Sequence, residues 1–220
     1  NIDQLKKNGV FVPQTPMTGN GNHRWIQLFA NYDEFSDEFV VSRYFKHEEN
    51  RKEKIFHKKK QFIDECQSAA NVCNTLILSS EHLQSRLRTL KQIQRLRNLV
   101  EEVADKILIV IYIRDPLKMA VSRLSTAIKS GGAQRVLPPP SLKSFEHVYN
   151  HCQTINRWKE CFPDAKILVR RFERSLLEKG DVVIDFCSQV IDNFCVDEYE
   201  FAKPANETLT LTGMALLRKL

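Results

Sequence analysis

The alternation of apolar and polar positions divides the chain into short strands and amphipathic helices in turn. Ile107 to Ile113 is an unbroken apolar run that stops at Arg114, the pattern of a strand buried on both faces and ending at a cation. Asp115 suits an N-cap and Pro116 a first helical position, so a helix is expected from Pro116 to Lys129, closed by the glycines at 131 and 132. Apolar runs at Val10 to Val12, Thr75 to Leu78 and Lys166 to Val169 predict three further strands. Helical spacing predicts the last turns of a helix closing on Gly9, then helices over His23 to Tyr32, Asn50 to Cys73, Leu87 to Asp105, Phe145 to Phe162 and Val182 to Ile191. A last helix is expected after a cap at Asn206 to Thr210, and a proline-stiffened loop over 132–141.

Strands alternating with helices predict right-handed βαβ units around one parallel sheet, in a single α/β domain spanning 1–220. Open sheets of this kind bind ligands at the carboxyl ends of their strands. Three strand ends carry polar clusters: Ser79 to His82, Arg114 with Asp115, and Arg170 to Glu173. In one sheet these clusters are expected to lie along one edge and to converge on one ligand. Arg114 and Ser122 are eight residues apart, so a guanidinium and a helix hydroxyl are offered together, a pair suited to a phosphate monoester.

A net charge of +6 adds the expectation of an anionic partner. The densest cationic stretch, His57 to Lys60, lies in a helical pattern without interleaved aromatic or glycine-rich sequence, so it reads as a solvated face and no nucleic-acid partner is expected. Six cysteines (66, 73, 152, 161, 187 and 195) occur without a C-x-x-C pair. That excludes a zinc ribbon or thioredoxin-type motif and predicts reduced thiols, no metal, and a cytoplasmic setting. The sequon Asn206-Glu-Thr208 keeps a secretory or Golgi lumen open. No apolar run approaches the ~20 residues of a membrane span.

Several motifs, in order and spacing, resemble one family. The stretch Y-I-R-D-P-L-K-M-A-V-S from Tyr112 to Ser122 is similar to the 3′-phosphate-binding motif of sulfotransferases that use 3′-phosphoadenosine 5′-phosphosulfate (PAPS). L-I-L-S-S-E at 76–81 resembles the strand and turn of bacterial-type members, and I-L-V-R-R-F-E-R at 167–174 with G-D-V-V-I-D-F at 180–186 resembles a later segment of the same proteins. N-E-T-L-T at 206–210 resembles their late N-x-S-L-S motif.

The resemblance implies a three-layer α/β/α domain with a central parallel sheet, of the P-loop nucleoside triphosphate hydrolase-like type, and transfer of a sulfuryl group from PAPS to a hydroxyl, with carbohydrate as the implied acceptor. Arg114 and Ser122 then carry over as ligands of the 3′-phosphate in PAPS and in its product, 3′-phosphoadenosine 5′-phosphate (PAP). Arg170 and Phe172 are further cofactor candidates: one of Arg170 and Arg171 is expected at the cofactor and the other in a structural pair with Glu173 or Asp185, while Phe172 stands between adenine packing and the core. Glu81 is the candidate base, weighed against a helix N-terminal carboxylate, with His82 as the second candidate. The family's opening P-K-x-G-[ST]-[ST] turn, which holds the 5′-phosphosulfate, is not found between Asn1 and Leu220, and a chain truncated at both ends is the expectation. Two rival readings remain: a non-catalytic nucleotide-binding module, and a kinase-like phosphotransferase needing a Walker loop and a magnesium carboxylate.

Overall fold

The computed structural model describes residues 2–18, 21–31, 50–131 and 143–201, which form a mixed α/β chain. In chain order the elements are α1 (Ile2–Lys7), β1 (Val10–Phe11), α2 (Ile26–Ala30), α3 (Arg51–Ala69), β2 (Thr75–Leu76), α4 (His82–Ser85), α5 (Leu90–Glu101), β3 (Leu108–Ile113), α6 (Pro116–Lys129), α7 (Lys143–Tyr149), α8 (His151–Cys161), β4 (Lys166–Arg171) and α9 (Val182–Val190). The chain divides into two compact units, Asn1–Ile109 with Cys152–Ile167, and Val110–His151 with Leu168–Leu220. Among the described residues no helix is long and apolar enough to cross a membrane. The predicted cap at Asn206 to Thr210 and the loop 132–141 lie outside the described residues.

In the first unit α1 ends at Gly9, whose φ of 73° lies in the left-handed region. A Cβ there would meet Asn74 Oδ1 at 3.2 Å, so glycine also serves the close approach of this turn to the start of β2. The strands β1 and β2 pair in parallel, Val10 opposite Thr75. The core gathers on α2, where Ile26, Leu28 and Phe29 are fully buried, and takes Ile55 and Phe62 from α3, Ile93, Leu96 and Leu99 from α5, and Trp158 and Phe162. All five residues of α2 are buried, the polar Gln27 among them, so the helix is packed on every side. Thr89 and Gln92 form a capping box that sets the start of α5 at Leu90, three residues after the predicted start.

Two side chains tie the loop after β1 to this core. Glu65 of α3 accepts hydrogen bonds from the backbone N–H groups of Gln14, at 2.7 Å, and Thr15, at 3.0 Å. His23, 2 % exposed, sits between two backbone groups: the Ser79 N–H donates to Nδ1 at 3.0 Å, and Nε2 lies 3.1 Å from the Pro13 carbonyl. The neutral ring with its proton on Nε2 satisfies both partners. Burial holds the imidazole below its ordinary pKa, against opposing contributions from the Ser79 and Pro13 backbone carbonyls, each 3.1 Å from a ring nitrogen, and from Glu65. Unfolded chain therefore binds protons more readily than folded chain once the pH falls below about 6.5. Stability present above that pH is lost as the pH falls towards the lowered folded value. Urea midpoints are expected to drop between pH 7 and pH 5.5, with a smaller drop in His23→Asn; an equal drop in both proteins would remove His23 as the cause.

In the second unit Asp115 caps α6 by accepting from the Lys118 N–H at 2.9 Å, with Pro116 as the first helical residue, as the sequence predicts. The single predicted helix over Phe145 to Phe162 is instead α7 and α8, broken at Asn150, a residue disfavoured in helix interiors. Ala120, Val148 and Tyr149 pack together with Met119. Asp181 caps α9, accepting from the N–H groups of Val183 and Ile184 at 2.7 and 3.2 Å.

The strands depart from expectation. Among the described residues they form two separate two-stranded ladders, β1 with β2 and β3 with β4, in place of one continuous sheet. A bond of 2.7 Å from the Phe172 N–H to the Ile113 carbonyl joins the carboxyl ends of β3 and β4, so these two strands run the same way. The apolar run at Ile107 to Ile113 predicts a strand sealed on both faces; Leu108 is 38 % exposed and the rest of β3 is half-buried. Among the described residues β4 is the one strand paired with β3. Uninterrupted apolar sequence reports high local hydropathy and not the number of neighbours.

Candidate functional site

Arg114 leaves the carboxyl end of β3 just as the chain turns into α6, and Arg171, Phe172 and Glu173 leave the end of the adjacent β4. These residues, with Lys118 and His151, line an open cleft of about 230 Å³ in the second unit. The Arg114 guanidinium stands over the Phe172 ring, 5.6 Å from its centroid. Phe172 is 39 % exposed, so the ring belongs to the cleft wall and not to the core. Arg171 pairs with Glu173 at 2.8 Å, and Asp115 is occupied at the helix cap. Two guanidinium groups, an ammonium, an imidazole and an exposed aromatic face at one opening can hold a phosphate-bearing ligand with a flat ring.

The other two predicted cofactor ligands are placed differently. Ser122 is half-buried on α6 and does not line the cleft. It is one turn beyond Lys118, and residues four apart share a helix face, so its hydroxyl lies along the ridge leading away from the opening. Arg170 is committed to Asp185, giving two hydrogen bonds to that buried carboxylate. Strand alternation explains the split between neighbouring arginines, since successive side chains of β4 point to opposite faces. Arg171 is thus the arginine at the cleft and Arg170 the structural one.

Glu81 and His82, the catalytic candidates, lie in the first unit, at the turn from β2 into α4. Glu81 Oε1 is 3.6 Å from Arg24 Nη2, an ion-pair distance, and 3.7 Å from His82 Nε2, both too long for a hydrogen bond. The Glu81 side chain is 70 % exposed and makes no capping bond at the N-terminus of α4, while His82 is buried. The Ser80 hydroxyl accepts from the His82 N–H at 3.2 Å and holds the turn. Arg24 was not marked by any sequence motif.

All six cysteines are free thiols. Burial pushes the Cys66 thiol up to about 12, with Glu65 adding to the effect, and burial raises Cys161 and Cys187 as well. Thiols shifted upward stay protonated and unreactive. Among the described residues no group of three or more His, Cys, Asp or Glu side chains is arranged to hold a metal ion.

Comparison with known proteins adds little to this geometry. No family model matches the chain. No solved structure matches it either. A stretch of 96 residues is 29 % identical to an uncharacterized protein of Archaeoglobus fulgidus, covering 42 % of this chain and 26 % of that protein. The chain thus spans about a quarter of the length of this relative, whose name carries no activity.

Proposed function

We propose that this protein is a PAPS-dependent sulfotransferase, moving a sulfuryl group from PAPS to a hydroxyl of an acceptor, with carbohydrate as the acceptor class that the family resemblance implies. The observation that carries the reading is Arg114 stacked over Phe172 at the paired ends of β3 and β4, with Arg171 and Lys118 at the same opening. That set fits PAP and PAPS, which present a 3′-phosphate beside a purine. On this reading the two ladders are parts of a three-layer, P-loop-like α/β/α architecture.

In the reaction, the acceptor oxygen attacks sulfur in line, the bond from sulfur to the bridging phosphate oxygen breaks, and PAP leaves with that electron pair. The family resemblance assigns the acceptor proton to Glu81, with His82 as the alternative base. Arg114 binds the 3′-phosphate and Phe172 packs against adenine, while the role of Ser122 at that phosphate comes from the family resemblance alone. Glu81→Gln is expected to lower turnover on the order of 100-fold while leaving PAP binding intact. A variant that keeps more than a tenth of the activity would move the base elsewhere.

The reading is tested by thermal shift in the full-length protein. PAP at a hundredfold excess over its dissociation constant is expected to raise the melting temperature by roughly 5–10 °C, and adenosine 5′-phosphate, lacking the 3′-phosphate, much less at equal concentration. Equal shifts from the two nucleotides, or none, would overturn the assignment. Binding of PAP without turnover on any acceptor would leave a non-catalytic nucleotide-binding protein.

A further inference from the structure

We infer that His151 is a positioning residue for the anion site, acting through the Arg114 backbone; this rests on the PAPS reading for the identity of the anion. His151 opens α8 and lines the same cleft as Arg114, and its Nε2 lies 2.8 Å from the Arg114 carbonyl oxygen, across 37 residues of sequence. A carbonyl can only accept, so Nε2 carries the proton.

The position of that carbonyl explains why it needs this donor. The Ile113 carbonyl takes the bond from the Phe172 N–H at the end of the ladder, and the Asp115 carbonyl takes the bond from the Met119 N–H in the first turn of α6. The Arg114 carbonyl falls between ladder and helix, where neither supplies an N–H. His151 fills the gap and fixes the plane of the peptide that follows Arg114. The direction in which Arg114 leaves the backbone is thereby set, and the Phe172 ring sets the far end of the same side chain. A guanidinium held at both ends loses little freedom when it takes up an anion, and ordering one long side chain otherwise costs up to about tenfold in affinity.

The test measures PAP and adenosine 5′-phosphate affinities of the full-length protein by calorimetry. His151→Ala is expected to weaken PAP about tenfold while leaving adenosine 5′-phosphate within twofold. His151→Gln, whose amide nitrogen reaches the place of Nε2, is expected to return PAP affinity to within about threefold of the parent; His151→Asn, too short to reach, should behave as Ala does, and stands in for it if His151→Ala does not fold. Unchanged PAP affinity in the Ala or Asn variant overturns the inference, as does equal loss of both nucleotides or failure of Gln to rescue. If the parent binds no PAP but binds inorganic pyrophosphate through Arg114, the nucleotide reading fails, and the same variants read on pyrophosphate decide the role of His151. Binding of neither ligand overturns both.

Discussion

Asp185→Ala is expected to lower the unfolding free energy by about 3–5 kcal/mol, the cost of breaking a buried ion pair by removing one partner. Asp185 is 0 % exposed and accepts four hydrogen bonds: from Tyr112 Oη at 2.6 Å, from Arg170 Nε at 2.6 Å, from Arg170 Nη2, and from the Glu178 N–H at 3.0 Å. Burial alone would raise its carboxyl, but the bonds from Arg170, Tyr112 and the Glu178 N–H outweigh it and hold the group below the usual carboxylate range. The Tyr112 phenol is correspondingly pushed up, by burial first and by the carboxylate second. Truncation would leave a cation, a hydroxyl and an N–H facing a void. Asn keeps the shape and loses the charge, so Asp185→Asn should lose nearly as much, whereas Tyr112→Phe should lose only about 1–2 kcal/mol. Urea unfolding monitored by circular dichroism decides it, and a loss below 1 kcal/mol in Asp185→Ala would show that the pair is solvated. Because the folded carboxyl is depressed, this stability is present above about pH 4 and is lost on further acidification. The window is separate from that of His23.

This network also explains how the cleft is held. Arg170 is the residue immediately before Arg171 and Phe172, so its anchoring to α9 through Asp185 fixes the end of β4 from which both leave. The sequence shows the pieces of this arrangement without the joints. An Asp-Pro pair after an apolar run encodes its own cap, and the start and end of α6 follow from local chemistry at Asp115, Pro116 and Gly131. Thr89 and Gln92 are equally local and fix α5 more tightly than its apolar periodicity does. Contacts between distant residues leave no such trace. His151 is one histidine in an amphipathic helix, Arg24 one cation beside a buried helix, and Glu65 one acid on a solvated face, and each acquires its role from a partner at least 37 residues away. Neighbour count is likewise non-local, which is why a run that reads as a sheet's central strand is found half-buried in a two-stranded ladder.

Arg114→Ala is expected to weaken PAP by roughly 30-fold to several thousandfold, the range for deleting one member of a desolvated charge pair. The reason lies in how the cations of the cleft are already engaged. Arg171 is held by Glu173 at 2.8 Å with its side chain 69 % exposed, so a ligand must displace a carboxylate to gain a screened contact. Lys118 is an exposed point charge without a fixed direction. Arg114 is half-buried, stacked on Phe172 and held at its carbonyl by His151, and among the described residues no carboxylate pairs with it. Its fork is therefore ready for two phosphate oxygens at once. Arg171→Ala and Lys118→Ala should each cost no more than about fivefold, as solvated contacts do. Arg114→Lys should fall between, because the charge survives while the fork and the stacking are lost. Calorimetric titration with PAP reads all four variants on one scale. If Arg114→Ala binds within threefold of the parent while Arg171→Ala does not, the anion sits on β4 and the motif from Tyr112 to Ser122 marks a strand end without a phosphate.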